Sequence, residues 1–380
     1  MKAKLFLIFH GRFPGEKAAS LFAAKSAEAF ADAGLDVRVL VPKRKGVVGQ
    51  DAYEYFGVKR NFTIVDIPTT GLSNIFKKIS FWLSYRTFAK GVKAHLMAHA
   101  GPADIIYSNE TLPLYAASSI SKNIFYEMHD FPESKLALFA RFLGRVKWML
   151  VHNRWKVEKI GKTFDFPANG MMCEPNAVDI DAFDLPIAQN DAREKLGLPH
   201  DKKIAVYTGH LYGWKGVDTL AKAADLLSSE FLVVFVGGTA ADVSRFREKY
   251  GKFERVMIVG HKPHKEIPLW QKAADILILP NSAKENISAF YTSPMKLFEY
   301  MASRKPIVAS DIPSIREIVD ESSAFLVAPD DSAALAGGIL LAANDKETAK
   351  ARAEKARSLV EDHSWSKRAR RILDFIEAHP

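Results

Sequence analysis

The segment SPMKLFEYMA, residues 293–302, combines a lysine and a glutamate with an apolar helical pattern. Ser293 and Pro294 predict the helix start, because serine side chains cap helices and proline is tolerated at the first helical position. An open helix N-terminus favours an anion such as a diphosphate, and the Glu299 carboxylate can accept hydrogen bonds from ribose hydroxyls. The alternative is a surface ion pair between Lys296 and Glu299, which are three residues apart.

A second candidate is the segment YTGHLYGWKGVDTL, residues 207–220, in which a lysine lies between a strand and a helix. Gly209 permits a tight turn after the strand, and Lys215 stands just before the helix beside free backbone N–H groups. This arrangement suits a phosphate. The segment is not a Walker A loop, because the glycine spacing and the Lys-Ser/Thr pair are missing. A solvated loop lysine is the alternative.

Other predicted strand ends carry glycine or histidine. FVGGTAAD contains the pair Gly237 and Gly238, and IVGHKPHKEI contains Gly260, where exposed backbone could read the edge of a nucleobase. EMHDFPES places His129 at a strand end, and the N-terminal loop FHGRFPGE brings in Gly15, which would let the backbone approach a phosphate. Taken singly, glycines at such positions more often mark ordinary turns, and a lone histidine at a strand end is more often structural than catalytic.

The elements that must position these residues alternate between short apolar runs and amphipathic helices, which predicts parallel sheets with crossover helices. The pattern occurs twice, so the expected fold class is α/β with two doubly wound domains, residues 1–178 and 190–363, joined by a linker within 175–191. Ligands of such sheets bind at the carboxyl ends of strands, where the candidate residues lie. The predicted strands are Leu5–Phe9, Val37–Val41, Thr63–Ile67, Ile105–Ser108, Ile124–Met128, Ile204–Thr208, Leu232–Val236, Val256–Val259, Ile276–Leu279 and Pro306–Ser310.

Composition is that of a soluble globular protein in a reducing compartment. The 380 residues include one cysteine, Cys173, so no internal disulfide can form. The apolar run near the N-terminus is broken at His10, which is too early for a signal peptide. No window approaches the roughly 18 apolar residues of a transmembrane helix, so a cytoplasmic location is expected.

The net charge of +9 lies in the first half of the chain: residues 1–180 hold 25 basic and 16 acidic residues, whereas residues 181–380 hold 28 of each. Residues 67–103 and 134–157 contain no acidic residue but combine bases with aromatics. Such segments suit an anionic surface, which predicts peripheral binding to the inner face of the cytoplasmic membrane. The alternative places the aromatics in the core and the bases on a solvated face. No nucleic-acid motif is present, so nucleic acid is not an expected partner.

The two acid-free segments contribute the basic and aromatic residues of the predicted membrane surface. The first segment contributes Lys77, Lys78, Arg86, Lys90 and Lys93 with Phe76, Phe81, Trp82, Tyr85 and Phe88; the second contributes Arg141, Arg145, Lys147 and Arg154 with Trp148 and Trp155.

Together these segments resemble the glycosyltransferases of family 4, retaining enzymes of the GT-B fold that use nucleotide-sugar donors. The resemblance covers nearly the whole chain, and the motifs stand in family order: the loop with Gly15, then YEMHD, EPNAVD, GHLYGWKG, FVGG, SPMKLFEYMASRKPIVASDIPSIREIV and a terminal HSW…RILDF helix. The long segment that begins with SPMKLFEYMA is the motif most specific to this family. The resemblance implies two Rossmann-like domains facing each other across a cleft, an acceptor-binding one and a nucleotide-sugar-binding one, with the C-terminal helix 364–380 packed back on the first.

The resemblance also implies roles for individual residues. The helix beginning at Ser293 would face the donor diphosphate, Glu299 would bind the ribose hydroxyls, and Lys215 would hold the diphosphate. His129 matches a histidine near the transferred sugar, so the implied catalytic residues are His129, Lys215 and Glu299. The implied donor-binding residues are Gly15, Gly209, His210, Lys215, Lys262, Tyr291, Ser293, Pro294, Met295 and Glu299.

The sequence departs from the family pattern at two positions. His210 stands where many members carry an arginine, and Tyr291 stands where many carry a second glutamate eight residues before the one matching Glu299. Glu285 or backbone groups near Tyr291 are candidates for the sugar contact of that glutamate. The sequence Asp-Ile-Asp at 179–181 spells a DxD metal signature of another glycosyltransferase fold, but it falls in the predicted linker.

The implied reaction moves a sugar, with retention, from a UDP-sugar or a GDP-sugar to a glycan or lipid-linked acceptor in surface polysaccharide or glycolipid synthesis. It needs no metal and no tightly bound cofactor. Two alternatives remain at this point. One is another enzyme of the same fold, either a sugar-nucleotide epimerase or a phosphorylase with pyridoxal phosphate. The other is a non-catalytic binding protein, which Tyr291 favours and the retained Lys215 and Glu299 disfavour.

Overall fold

The computed structural model describes residues 3–43, 51–70 and 77–380, the side chains of Lys77 and Lys78 excepted. Strand pairing within the described residues is parallel in both sheets. No helix in this part of the chain is long and apolar enough to cross a membrane.

The chain divides into two compact units. The first unit comprises Met1–Pro175 and Trp365–Pro380, and the second comprises Asn176–Ser364. The stretch predicted as a linker is folded into the second unit from Asn176 onward: it contains the helix Ile180–Phe183 and the start of the helix Gln189–Leu196, and Phe183 is buried in the core of that unit. Its aspartates and prolines begin and connect these helices, which explains why the stretch lacks a sustained hydrophobic period.

The sheet of the first unit has the strand order β3-β2-β1-β4-β5-β6-β7. Its central strands are almost continuous apolar runs, as expected where helices cover both faces of a parallel sheet. The order reverses between β1 and β4, which is where open α/β sheets bind ligands. The strands are β1 Lys4–Ile8, β2 Asp36–Lys43, β3 Thr63–Pro68, β4 Ile105–Ser108, β5 Ile124–Met128, β6 Trp148–Val151 and β7 Met171–Cys173.

The helices connecting these strands are α1 Ala18–Asp32, α2 Ala52–Phe56, α3 Lys77–His99, α4 Thr111–Ala117, α5 Leu136–Leu143 and α6 Arg154–Phe164. Local sequence begins some of them. The Asp51 side chain accepts hydrogen bonds from the N–H groups of Tyr53 and Glu54, and Asn153 caps α6 at Lys156 in the same way.

The second unit contains a six-stranded sheet in the order β10-β9-β8-β11-β12-β13. Its strands are β8 Lys203–Thr208, β9 Phe231–Val236, β10 Val256–Gly260, β11 Ile276–Leu279, β12 Ile307–Ser310 and β13 Phe325–Val327. Its helices are α7 Ile180–Phe183, α8 Gln189–Leu196, α9 Val217–Leu226, α10 Ala240–Tyr250, α11 Ile267–Ala273, α12 Met295–Ala302, α13 Pro313–Arg316, α14 Ser332–Asn344 and α15 Lys346–Val360. One apolar core packs on each face of the sheet.

The last helix, α16 Trp365–Ala378, belongs to the first unit and packs against α1. The Trp365 ring meets the Phe22 ring edge-on with 5.3 Å between centroids. Deeper in the same contact, Arg368 donates to the Pro175 carbonyl and to the Glu127 carboxylate, so the chain end is anchored by buried charge as well as apolar packing.

The ten predicted strands are confirmed, with small shifts at their ends, but three others were not predicted. β7 and β13 have only three residues each, too few for a periodic signal. β6 lies inside the segment 134–157 that was predicted as a membrane-binding surface. That expectation is wrong for Trp148, which is buried at 3% exposure and is part of the sheet.

The other basic segment, 67–103, contains the end of β3 and the whole of α3, and its aromatic residues divide between core and surface. Tyr85 and Phe88 are buried, whereas Phe81 and Trp82 are 53% and 54% exposed. Arg86 and Lys90 are exposed on the same helix. Phe76 lies outside the described residues, as do the side chains of Lys77 and Lys78.

Candidate functional site

The carboxyl edge of the second sheet is built from glycine loops that lie side by side. The Gly209 N–H donates to the Val236 carbonyl, and the Gly237 N–H donates to the Gly260 carbonyl, both at 2.8 Å. Gly237 has a φ of +126° and approaches Gly209 so closely that a Cβ atom at residue 237 would lie 2.4 Å from the Gly209 carbonyl oxygen. The loops after β8, β9 and β10 therefore form one continuous surface at the position where such sheets bind ligands.

Lys215 lies on this edge, in the short turn Gly213–Lys215 that precedes α9. Its Nζ atom lies 3.7 Å from the centroid of the Trp214 ring. Burial of the ammonium group lowers the pKa of Lys215 to about 7. A backbone hydrogen bond ties this turn to the segment after β11, because the Trp214 carbonyl accepts a hydrogen bond from the Ser282 N–H.

Glu299 lies in the second turn of α12, with its residue surface 8% exposed. Its Oε1 atom pairs with Nε2 of His264 at 2.9 Å, and His264 stands in the turn that follows β10. The Lys296–Glu299 surface pair, the alternative interpretation of this segment, is not among the ion pairs of the described residues, since His264 pairs with the carboxylate. Sequence reasoning missed His264. The feature that could have identified His264 is its position as the second histidine of IVGHKPHKEI, in the loop that follows the strand-end glycine.

The start of α12 differs from the prediction that Ser293 caps it. The helix begins at Met295, and Pro294 occupies the capping position without a side-chain hydrogen bond. The Ser293 hydroxyl instead accepts a hydrogen bond from the Asn176 N–H at 3.2 Å, and the Ser293 carbonyl accepts one from the Asn176 side-chain amide. The first N–H groups of α12 are thus not capped by Ser293, which leaves them available to an anion.

Three other predicted donor residues lie in the second unit. His210 stacks on Tyr212 with 4.9 Å between ring centroids, in the loop after β8. Lys262 follows the end of β10 and is partly exposed. Tyr291 is buried at the end of the π-helical turn Ile287–Tyr291, and Glu285, the candidate substitute for a family glutamate, is exposed just before that turn.

Gly15 and His129 belong to the first unit, at the carboxyl ends of β1 and β5. The Gly15 carbonyl accepts a hydrogen bond from the Ser20 hydroxyl at 2.6 Å, and a Cβ at residue 15 would lie 2.6 Å from the Arg12 carbonyl oxygen. Glycine is therefore required there by the turn itself. The His129 ring lies edge-on to Phe22 at 4.9 Å, and its side chain is 25% exposed.

His129 rests on a buried charge network that sequence reasoning did not foresee. Oε1 of Glu127 lies 2.6 Å from Nη2 of Arg368, 2.6 Å from Nε2 of His152 and 3.6 Å from Nε2 of His129. Arg368 and these histidines hold the pKa of Glu127 well below its usual range despite burial, which acts in the opposite direction. Burial lowers the pKa of His152 to about 3, so this imidazole is neutral at physiological pH.

Glu127, His129 and His152 could together hold a metal ion, since one ligand atom from each falls within 4.8 Å of the others. The guanidinium of Arg368 already neutralises the carboxylate, and His152 bonds to the same oxygen, so Glu127 is satisfied within an ion network. The Asp-Ile-Asp sequence has a structural role in the second unit, because the Asp179 side chain accepts a hydrogen bond from the Ala182 N–H at the start of α7.

The match to a known family covers most of the second unit. Residues 188–359 match the family model of the glycosyl transferases group 1. The matched segment contains Lys215, His264 and Glu299.

Curated relatives of the chain are named as glycosyltransferases. The chain is 27% identical over 240 residues to D-inositol 3-phosphate glycosyltransferase of Xylanimonas cellulosilytica, covering 60% of this chain and 55% of that protein. It is 22% identical over 249 residues to the putative teichuronic acid biosynthesis glycosyltransferase TuaC of Bacillus subtilis, covering 65% and 60%. The chain thus spans less than two thirds of the length of these relatives.

Solved structures match the whole chain. Sucrose-phosphate synthase from Thermosynechococcus elongatus superimposes with a TM-score of 0.81 at 18% identity, over 99% of each chain. Anabaena HepE in complex with UDP gives a TM-score of 0.75 at 18% identity, over 100% of each chain. With its two parallel sheets, the protein has the GT-B fold.

Proposed function

We propose that the protein is a retaining glycosyltransferase of family 4 that moves a sugar from a nucleoside diphosphate sugar to an acceptor hydroxyl. The observation that carries this proposal is the edge of the second sheet, which combines the half-buried Lys215, a carboxylate held by His264, and the start of α12 without a side-chain cap. A cation and helix N–H groups suit a diphosphate, and a fixed carboxylate suits ribose hydroxyls.

The proposed reaction breaks the bond between the sugar C1 and the diphosphate oxygen and forms a bond from C1 to the acceptor oxygen. Negative charge develops on the leaving diphosphate, where Lys215 and the first N–H groups of α12 stabilise it. The acceptor attacks from the face that the diphosphate leaves, and a diphosphate oxygen takes the acceptor proton. This path retains the anomeric configuration and assigns charge neutralisation to the chain's own groups rather than to a metal ion.

The first unit is proposed to bind the acceptor, a glycan or lipid-linked hydroxyl, with His129 beside the transferred sugar. The His129 main chain is fixed for such a role, because the buried Lys156 ammonium donates to its carbonyl at 2.7 Å. We favour a UDP-sugar as donor, since the HepE neighbour was solved with UDP, and the name of the TuaC relative agrees with synthesis of a surface polysaccharide.

We further propose that α3 rests on the inner face of the cytoplasmic membrane. Its exposed Phe81 and Trp82 lie near the exposed bases Arg86 and Lys90, a combination that suits anionic lipid. Replacing both aromatics by serine is expected to weaken binding to vesicles of phosphatidylcholine and phosphatidylserine at least about tenfold, because burying one phenylalanine is worth roughly 1.5–3 kcal/mol.

Co-sedimentation with these vesicles measures this, and Leu226→Ser provides the matched control, because Leu226 is a similarly exposed apolar residue in the second unit. Equal binding of the double variant and the wild-type protein would refute the assignment of α3. Equal binding to pure phosphatidylcholine would refute the anionic component.

The reaction class is tested by incubating the protein with UDP-glucose, UDP-N-acetylglucosamine and GDP-mannose, each with bacterial lipid and glycan extracts, and following the anomeric proton by NMR. The expected result is release of nucleoside diphosphate that depends on the extract, with an α-linked product from an α-linked donor. An inverted product would refute retention. Conversion of the donor without any extract would indicate an epimerase.

A further inference from the structure

The side chain of Lys296 is unusual for a lysine in the first turn of a helix at a sheet edge. Its Nζ atom is out of contact with solvent and has no hydrogen-bond partner among the described residues. It lies 3.8 Å from the centroid of the Tyr207 ring, beneath the loop that follows β8. A shielded ammonium without a hydrogen-bond acceptor is costly, and a cation–π contact offsets only part of that cost.

The charges around Lys296 do not supply a partner. Glu299 lies one turn further along α12, but its carboxylate is paired with His264. Burial and the nearby Lys215 hold the pKa of Lys296 well below its usual range, and Glu299 offsets this only in part. The half-buried Lys215 is thus close enough to Lys296 for the two charges to interact at this part of the sheet edge.

The local backbone makes room for this ammonium. Gly209 has a φ of +124°, and a Cβ atom on it would lie 2.9 Å from Nζ of Lys296. The Tyr207 hydroxyl donates to the His210 carbonyl at 2.6 Å and so fixes the turn above its own ring. Tyr300, on the next turn of α12, accepts a hydrogen bond from the Thr208 N–H at 2.9 Å. The end of β8 and the start of α12 therefore hold Nζ at a defined position.

We propose that Lys296 is a second cation of the donor site, which contacts the diphosphate together with Lys215 and makes the site selective for nucleoside diphosphates over monophosphates. This inference rests on the proposed function. Two cations match the charge of two phosphates, whereas a monophosphate engages fewer of them. The site keeps an unpaired ammonium in the free protein and satisfies it only when the ligand is bound, which trades stability for function.

The test compares binding of UDP and UMP, with GDP and GMP in parallel, to the wild-type protein, Lys296→Met and Lys305→Met by calorimetry. Lys305 is the matched control: burial lowers its pKa to about 8, but it precedes β12 and so lies at the opposite, amino edge of the same sheet. We expect Lys296→Met to weaken diphosphate binding roughly 10- to 100-fold, the loss typical of one charge-assisted hydrogen bond, and monophosphate binding much less. Lys305→Met should bind both as the wild-type protein does.

The melting temperature of each free variant checks that it folds. Methionine keeps the stem of Lys296 and removes an unpaired charge, so the Lys296→Met protein should be at least as stable as the wild type. Unchanged diphosphate binding in this variant would overturn the inference while leaving the proposed function intact. An equal loss for mono- and diphosphate with a lowered melting temperature would show a purely structural role and also overturn it. Failure of the wild-type protein to bind any of the four nucleotides would overturn both.

Discussion

Replacing Lys215 with alanine is expected to lower kcat for sugar transfer by roughly 10²–10³, the usual loss when one preorganised charge-stabilising group is removed. The effect is large because Lys215 is half-buried, so that its interaction with a leaving diphosphate is screened less than in bulk water. The measurement is steady-state kinetics with saturating acceptor. Lys222→Ala is the control, since Lys222 is exposed on α9, two turns beyond Lys215. A Lys215→Ala protein with wild-type kcat would remove Lys215 from the mechanism.

Lys215 also gives nucleotide binding a predictable pH dependence. With a pKa of about 7, the amine is charged below pH 7 and mostly neutral above it, and a bound diphosphate favours the charged form. Binding above pH 7 must therefore take up a proton, so affinity should fall as pH rises from 7 to 9, by up to about tenfold per pH unit for each proton. Lys296 and Glu299 lie nearby, His264 pairs with the Glu299 carboxylate, and Lys296 should leave a residual slope in Lys215→Ala. Calorimetry in buffers of different ionisation enthalpy measures the protons directly.

Replacing Glu299 with alanine is expected to weaken nucleotide binding by about 10- to 100-fold. Hydrogen bonds to a charged group are worth roughly 1.5–3 kcal/mol each, and the variant would lose those from the ribose hydroxyls to the carboxylate. His264 holds this carboxylate in place, so His264→Ala should produce a smaller loss of the same kind.

The role of Glu299 is specific enough to be tested with modified ligands. The penalty of Glu299→Ala should shrink for 2′-deoxy and 2′,3′-dideoxy nucleotides, because those ligands lack the hydroxyls that the carboxylate binds. Glu248→Ala, an exposed carboxylate on α10, serves as the control. An equal penalty for ribose and deoxyribose nucleotides would show that Glu299 acts elsewhere.

The sequence predicts the sheets well, because buried parallel strands are continuous apolar runs whose glycine ends mark the loops that bind ligands. β6 was missed because its four apolar residues lie between Lys147 and His152, so the segment looks like a basic surface. His152, which follows β6, is buried by tertiary packing, and the local hydrophobic pattern of the sequence does not encode such packing.

The contacts of the candidate site were harder to predict, because they join residues far apart in sequence. Spacing alone suggests that Glu299 pairs with Lys296, three residues away, but the carboxylate is taken by His264, which is 35 residues earlier. Ser293 looks like a helix cap, yet its hydroxyl is bonded to Asn176, which is 117 residues away. The pairing of Glu127 with Arg368 spans 241 residues and depends on where the last helix packs.

The most direct test of a nucleotide site at the edge of the second sheet is a thermal shift measurement with UDP, GDP, ADP and CMP on the wild-type, Lys215→Ala and Glu299→Ala proteins. A ligand at one hundred times its dissociation constant adds about 2.7 kcal/mol to the free energy of unfolding. The predicted result is a clear rise in melting temperature with one nucleotide, lost in both variants. No rise with any nucleotide, or a rise that both variants retain, would contradict the assignment of this site and favour a non-catalytic protein of the same fold.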